Sequence, residues 1–422
     1  MQDRAIEPNY SPARIALMAL APFGLGYFFS YLFRAVNAVV APDLVSELQL
    51  NASDLGLLTA AYLLAFSLCQ FPLGILLDRY GPRRVQFGLL MLAALGAGLF
   101  SVAHSTLTLS LARGLIGTGV AGGLMAGFKA VVLWVPAERR ALANSFVMSM
   151  GAIGLLVSTA PMEWAVRHYG WRSAFLVLGA ATAVVATIIL IVVPERRAAI
   201  AQDTLGASLK AVGGIYRDRA FWLITPLLCA TAGTHIAIQT LWAAPWLRDV
   251  AGYDRQQVAN VLFLMAGAFF VGILTSGGIA DWLQRRGVNI LDVMLGFLAA
   301  FMLSQLVIVL DIVPLRLPAW LMFGLSGQVA ILAYPWLSTH FGAHLAGRSN
   351  TAVNLLLFMT AFLIQYAIGR LLDLYPRTAS GGYPVDAYTF AFGVFLALQV
   401  AALLIYLGAR RRHFVRPSQD KA

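Results

Sequence analysis

The chain has 422 residues, 60% of them hydrophobic and 12% charged, with a mean hydropathy of +0.77. That balance excludes a soluble globular protein, and at roughly 20 apolar residues per crossing it supplies about twelve membrane spans with little left for a soluble domain. The net charge of +11 would suit a nucleic-acid binder only on a solvated basic face, and no polar segment is long enough to form one.

The first fourteen residues mix acids with arginines, and the apolar run behind them is too long for a signal-peptide core and lacks a small-x-small cleavage site. It reads as a retained first span. Hydropathy then predicts twelve helices, near 15–42, 55–77, 85–103, 107–135, 141–165, 173–193, 221–247, 257–280, 288–310, 317–339, 350–372 and 387–409, called helices 1 to 12 below. Between the sixth and seventh lies the one long polar stretch, Pro194 to Ala220, with Arg196, Arg197, Lys210, Arg217 and Arg219. The expected organisation is a six-helix bundle over 1–194, a cytoplasmic linker over 195–220 that is partly an interfacial helix, and a second bundle over 221–422 with a basic tail. Lys and Arg number 20 in the segments on the N-terminal side of the membrane and 6 on the other, so both termini are expected in the cytoplasm.

The two sets of six repeat each other. Pro42 and Pro245 end the first predicted helix of each half, Gly74 and Gly277 sit late in the second, and Asp78/Asp281 and Arg83/Arg286 occupy the following loop, every pair 203 residues apart. Asn144 and Asn350 keep a spacing of 206. Duplicated six-helix halves are the building plan of transporters that rock about a midplane site between the halves.

The loop after helix 2 reads Gly74-Ile-Leu-Leu-Asp78-Arg79-Tyr-Gly81-Pro-Arg83-Arg84: an acid at a helix end, a tight turn and several arginines suit an ion-pair clasp. It resembles the signature loop of the major facilitator superfamily, with a weaker copy running from Gly277 through Asp281 to Arg286 and Gly287. Leu111-Ala-Arg113-Gly-Leu-Ile-Gly117-Thr-Gly119 is similar to that family's helix 4 motif, and Gly170-Trp171-Arg172 to its start of helix 6. The resemblance covers almost the whole chain. It implies an all-α polytopic membrane protein whose twelve transmembrane helices form two pseudo-symmetric bundles, with helices 1, 4, 7 and 10 lining a central cavity. It also implies a gating role for Gly74, Asp78, Arg79, Arg83, Asp281 and Arg286.

In helix 1, Tyr27, Ser30, Tyr31, Arg34 and Asn37 share one helical face. An arginine at a bilayer centre costs roughly 2.5–3.5 kcal/mol on insertion scales, which argues for a use, either substrate binding or gating, against a structural pair. Tyr31-Leu-Phe-Arg34 with Pro42 behind it resembles helix 1 of the family's organic-anion carriers, where an arginine holds the substrate's charge. The duplicated position is Ala237, where phosphate-ester carriers have a second arginine, and this departure weighs against an organophosphate substrate. Helix 4 offers Arg113 and Lys129, about 160° apart on an ideal helix, so both reach one cavity only if the helix bends; Lys129 also suits snorkelling to the surface. Helix 7 places His235, Gln239 and Trp242 on one face, and helix 10 adds Gln328 and Tyr334. His235, with a side chain that titrates near neutrality, and Arg113 are the candidates for proton coupling, with an ordinary hydrogen-bonded histidine as the alternative.

No Asp or Glu falls in the middle of a predicted span, which disfavours a cation carrier and leaves a net positive cavity that attracts anions. Neither an enzyme motif nor a cofactor-binding loop is present; Cys69 and Cys229 lie in apolar runs, and His340 and His344 lack acidic partners, so no metal site is expected. The expected protein is a monomeric inner-membrane symporter that takes up a small organic anion with protons and meets only lipid besides. The alternative is a proton-driven exporter of drugs or amphipathic metabolites, suggested by the aromatic-rich helices 1 and 7.

Overall fold

The computed structural model describes residues 16–136, 139–194, 213–327, 329–341 and 345–414; the linker over 195–212, both chain ends and Gln328 lie outside that set. Every regular element among the described residues is helical. Among the described residues nine continuous helices are long and apolar enough to cross a bilayer, and Leu142–Val157 with Ala160–Tyr169, bent by 45°, makes a tenth span, helix 5. Ala52–Val102 turns at Gly81, whose φ of 77° is left-handed, and so provides both helices 2 and 3. Arg316–Ser326 and Val329–Phe341 together form helix 10, which completes twelve.

Helix starts follow from local chemistry. Asn51, Ser105 and Asp254 each close a capping box at the starts of helices 2, 4 and 8, and the Asp218 and Asn289 side chains cap helices 7 and 9. The expectation that Pro42 and Pro245 end their helices is corrected: Pro42 lies inside Asn37–Leu48, and Pro245 inside Ala243–Asp249. In each half the irregularity falls a few residues upstream, and the chain stays helical through the proline.

Those irregularities are paired. Helix 1 breaks at Val36 between Ala21–Ala35 and Asn37–Leu48, and helix 7 becomes a π-helix over Ile238–Trp242. Helix 4 turns at Ala121–Gly122, and helix 10 at Gly327. Val36 and Gln239 are 203 residues apart, Ala121 and Gly327 are 206 apart, the same offsets as the sequence repeat. The duplication therefore reaches down to where the backbone departs from the α-helix, in the four helices expected to line the cavity. Side chains take up backbone carbonyls near the breaks in the first half: Ser30 Oγ donates to Val120 O (3.1 Å), Gln70 Nε2 to Ala121 O (3.2 Å) and Arg113 Nη1 to Phe33 O (2.8 Å).

The halves meet through helices 2 and 11 on one side and helices 5 and 8 on the other. Outward faces carry exposed Leu176, Val177, Ile191, Leu404 and Ile405, as a surface solvated by lipid requires. The Gly170-Trp171-Arg172 motif also has a local explanation. Arg172 forks onto both Glu47 oxygens at 2.6 Å and Trp171 Nε1 adds a bond at 3.2 Å, which ties the end of helix 1 to the start of helix 6. That guanidinium holds the Glu47 carboxyl below the usual carboxylate range.

Candidate functional site

Arg34 sits near the middle of helix 1, 7% exposed, where the halves face each other. Its guanidinium lies 4.5 Å from the Tyr31 ring, 5.1 Å from Phe66 of helix 2 and 4.9 Å from Phe358 of helix 11. Phe66 and Phe358 touch across the halves at 4.3 Å, and Tyr31 meets both Tyr27 (5.2 Å) and Phe269 of helix 8 (6.0 Å). No carboxylate among the described residues pairs with Arg34, and its Nε has no hydrogen-bond partner. The rings supply cation–π attraction but no counter-charge, so the site holds a positive charge in a low-dielectric setting.

Around it the candidate residues divide. Tyr334 of helix 10 lies in electrostatic range of Tyr31 and Tyr27, and its hydroxyl donates to Asn354 Oδ1 of helix 11. Asn37, wholly buried one turn beyond Arg34, leaves both amide atoms unpartnered, and Gln239 in the π-helix leaves Nε2 unpartnered. An unmet buried polar atom costs about 1–3 kcal/mol, so Asn37 and Gln239 keep hydrogen-bonding capacity that the described protein groups do not use. Trp242 is committed elsewhere, its Nε1 donating to Gln365 O at 2.9 Å. Arg113, 1% exposed, stacks on Tyr62 at 4.9 Å and spends Nη1 on the carbonyl of Phe33, which ties helix 4 to the break in helix 1. Lys129 points to the basic end of the molecule, its Nζ 2.7 Å from Asp78. His235 lies behind Phe269, stacked at 5.6 Å, with Phe323 at 5.1 Å, Phe301 at 5.9 Å and no partner for Nε2. Gln328 lies outside the described residues.

Phe66, Phe358, Phe269 and Asn354 complete the site although the sequence does not single out the three phenylalanines. An apolar residue in an apolar span carries no mark that separates cavity from lipid. Asn354 is marked only by being polar.

The two ends of the molecule differ. At the basic end, which carries the signature loop, Asp78 is held by Lys129 of its own half, Arg83 Nε donates to Leu190 O of helix 6 at 2.9 Å, Arg79 lies over Tyr80 and Arg286 over Trp282. At the opposite end the halves are laced together. Arg255 of helix 8 forks onto Asp43 (3.0 and 2.6 Å) and reaches Glu163 (2.5 Å); Arg377 Nη2 donates to Leu50 O (2.6 Å); Gln365 Nε2 donates to Thr59 Oγ1 (2.6 Å). Asp373, at the end of helix 11, caps helix 2 from the other half, accepting from the N–H of Ala52 (3.1 Å), the N–H of Ser53 (2.7 Å) and the hydroxyls of Ser53 and Tyr383. A cavity of about 140 Å³ remains in this seal, lined by Val45, Leu55, Trp242, Arg255 and Tyr388 among others.

Burial opposes ionisation of Asp373, but the donors from Ser53 and Tyr383 outweigh it and hold the carboxyl below its usual range. The cap therefore contributes fully above the ordinary carboxylate pKa of about 4 and is lost only as pH falls through the lowered value. The distance between spin labels on Leu107 and Leu374, exposed residues of opposite halves at this end, is expected to stay flat between pH 5 and 8 and to lengthen in Asp373→Asn; a steep change in the wild type within that range contradicts it.

The chain is similar to several known proteins in sequence and in fold. A sequence profile described as Major Facilitator Superfamily matches residues 23–365. "Probable sulfoacetate transporter SauU" of Cupriavidus necator is 26% identical over 65% of this chain, and the hexuronate transporter of Escherichia coli 29% identical over 63%; each match spans 66% of the relative's own length. In fold, a bacterial homologue of the human lysosomal transporter Spinster, crystallised in an inward-facing, unoccupied conformation, superposes with a TM-score of 0.72 at 17% identity, over 97% of this chain and 100% of that one. With the profile spanning more than half of its length, the chain belongs to the major facilitator superfamily.

Proposed function

We propose that the protein is a secondary transporter of small organic anions, working by alternating access between its two halves. The observation that carries this reading is Arg34: a buried arginine, caged by rings from both halves, with no carboxylate among the described residues to neutralise it. An organic anion supplies the missing charge, and the rings flank its carbon skeleton. The relatives named for sulfoacetate and hexuronate carry acidic substrates, which supports the same class here.

With the basic end in the cytoplasm, the sealed end faces the periplasm, and the described conformation is the inward-facing one. Gly74, Asp78, Arg79 and Arg83, with Asp281 and Arg286, are then assigned to the opposite task of closing the cytoplasmic end when the periplasmic seal opens. Arg113 holds the shape of the helix 1 break that presents Arg34.

Protons are the proposed driving ion, with His235 as the group that binds them: its Nε2 is unpartnered, and Phe269 links its ring to Tyr31 beside Arg34. Uptake of radiolabelled mono- and dicarboxylates into proteoliposomes under an imposed pH gradient tests both parts. Wild-type uptake is expected to follow the gradient, and His235→Gln to retain binding with uptake no longer responsive to pH. Full pH dependence in His235→Gln removes the histidine from the coupling; absence of any organic-anion flux removes the function.

A further inference from the structure

The unpartnered polar atoms beside Arg34 bear on what the anion must look like. Asn37 is three residues after Arg34, and its side chain is wholly buried with neither Oδ1 nor Nδ2 engaged. The segment it opens, Asn37–Leu48, packs against the π-helix Ile238–Trp242, where Gln239, 6% exposed, leaves Nε2 free. By the 203-residue repeat, the Val36 break and Gln239 are equivalent positions, so Asn37 and Gln239 stand at one level in opposite halves. Arg34 Nε, about one turn earlier on helix 1, is unpartnered as well.

The chemistry of an amide with both ends unmet is selective. A carboxylate only accepts and an ammonium only donates, whereas a hydroxyl does both and satisfies Oδ1 and Nδ2 through one oxygen. We propose that Asn37, helped by Gln239, reads a hydroxyl group close to the substrate's carboxylate, so that the site selects hydroxylated acids over plain carboxylates. The inference rests on Arg34 as the anchor for the carboxylate. Asn37 supplies specificity, and Gln239 brings the second half into contact with the same hydroxylated end.

The test is equilibrium binding to the purified full-length protein in nanodiscs, by titration calorimetry, using matched pairs: lactate against propionate, and gluconate against 2-deoxygluconate. Wild type is expected to prefer a hydroxylated member by roughly tenfold or more, the size of one hydrogen bond made in a buried site. Asn37→Leu is expected to bind both members of that pair alike, and Gln239→Leu to narrow the gap. Arg34→Ala separates the two readings. If it abolishes binding while Asn37→Leu keeps full discrimination, the anchor stands and the hydroxyl reader is overturned; if it leaves binding intact, the anchor fails whatever Asn37 does. No preference in either pair by wild type also overturns the proposal, and means that water occupies the Asn37 amide. Should Asn37→Leu unfold, as judged by its thermal transition, Asn37→Ser and Gln239→Leu carry the comparison, with retained discrimination in both overturning it.

Discussion

Arg34→Ala is expected to abolish saturable binding and uptake of organic anions, a loss of roughly 100-fold or more in affinity. Truncating one partner of a buried charge pair costs about 2–5 kcal/mol, and each 1.4 kcal/mol is about tenfold. The loss is specific to anion handling because, among the described residues, Arg34 makes no ion pair that its removal would break. Its contacts are the rings of Tyr31, Phe66 and Phe358, which lose a cation–π partner, and the Tyr62 side chain, which loses one hydrogen bond. Folding, followed by the thermal transition, should therefore survive better than binding does. Arg34→Lys keeps a charge but not the planar fork, so it falls between wild type and alanine. Binding and uptake unchanged in Arg34→Ala would contradict the reading.

Gly369→Ala is expected to shift the molecule toward the conformation open at the periplasmic end. Helices 2 and 11 touch so closely that a Cβ at Gly369 falls 2.4 Å from Ala52 O, 2.9 Å from its carbonyl carbon and 3.2 Å from Ser53 Cα. These are backbone atoms at the start of a helix, which no rotamer change can move. Overpacking of this kind costs about 1–3 kcal/mol, enough to shift a two-state population by roughly 5- to 150-fold. Once the helices part the methyl costs nothing, so the substitution acts on one state alone. It also pushes the Ala52 and Ser53 N–H groups away from the Asp373 cap, which adds to the effect. Spin labels on Leu107 and Leu374, exposed residues of opposite halves at that end, report the change as a longer inter-half distance. An unchanged distance distribution would show that the glycine contact does not hold the seal.

The twelve spans, their division into two sixes and Arg34 are all legible in the sequence, because hydropathy and repeat spacing are one-dimensional signals. A buried arginine stands out in an apolar helix by chemistry alone. The partners of the long side chains are not legible. Lys129 and Arg113 look alike as cations in helix 4, yet one ends on Asp78, fifty-one residues away, and the other on the backbone of Phe33, eighty residues away. The seal depends on still longer separations: Asp373 meets Ser53 across 320 residues and Arg255 meets Asp43 across 212. Phe66 and Phe358 read as ordinary lipid-facing or core residues until the fold sets them face to face. The prolines misled for a related reason: the duplicated departures from α-helix lie upstream, at Val36 and in the π-helix at 238–242, where the sequence shows no glycine or proline.

The central claim is that a single uncompensated arginine between two alternating halves makes this an anion carrier. Solute counterflow in proteoliposomes with no pH gradient isolates that claim from the coupling ion, since exchange needs only binding and alternation. The expected result is accumulation of a labelled organic acid driven by unlabelled organic acids, absent in Arg34→Ala. Counterflow of cationic or neutral amphipathic compounds, with none for any organic acid, would contradict it and establish the protein as a carrier of that other class.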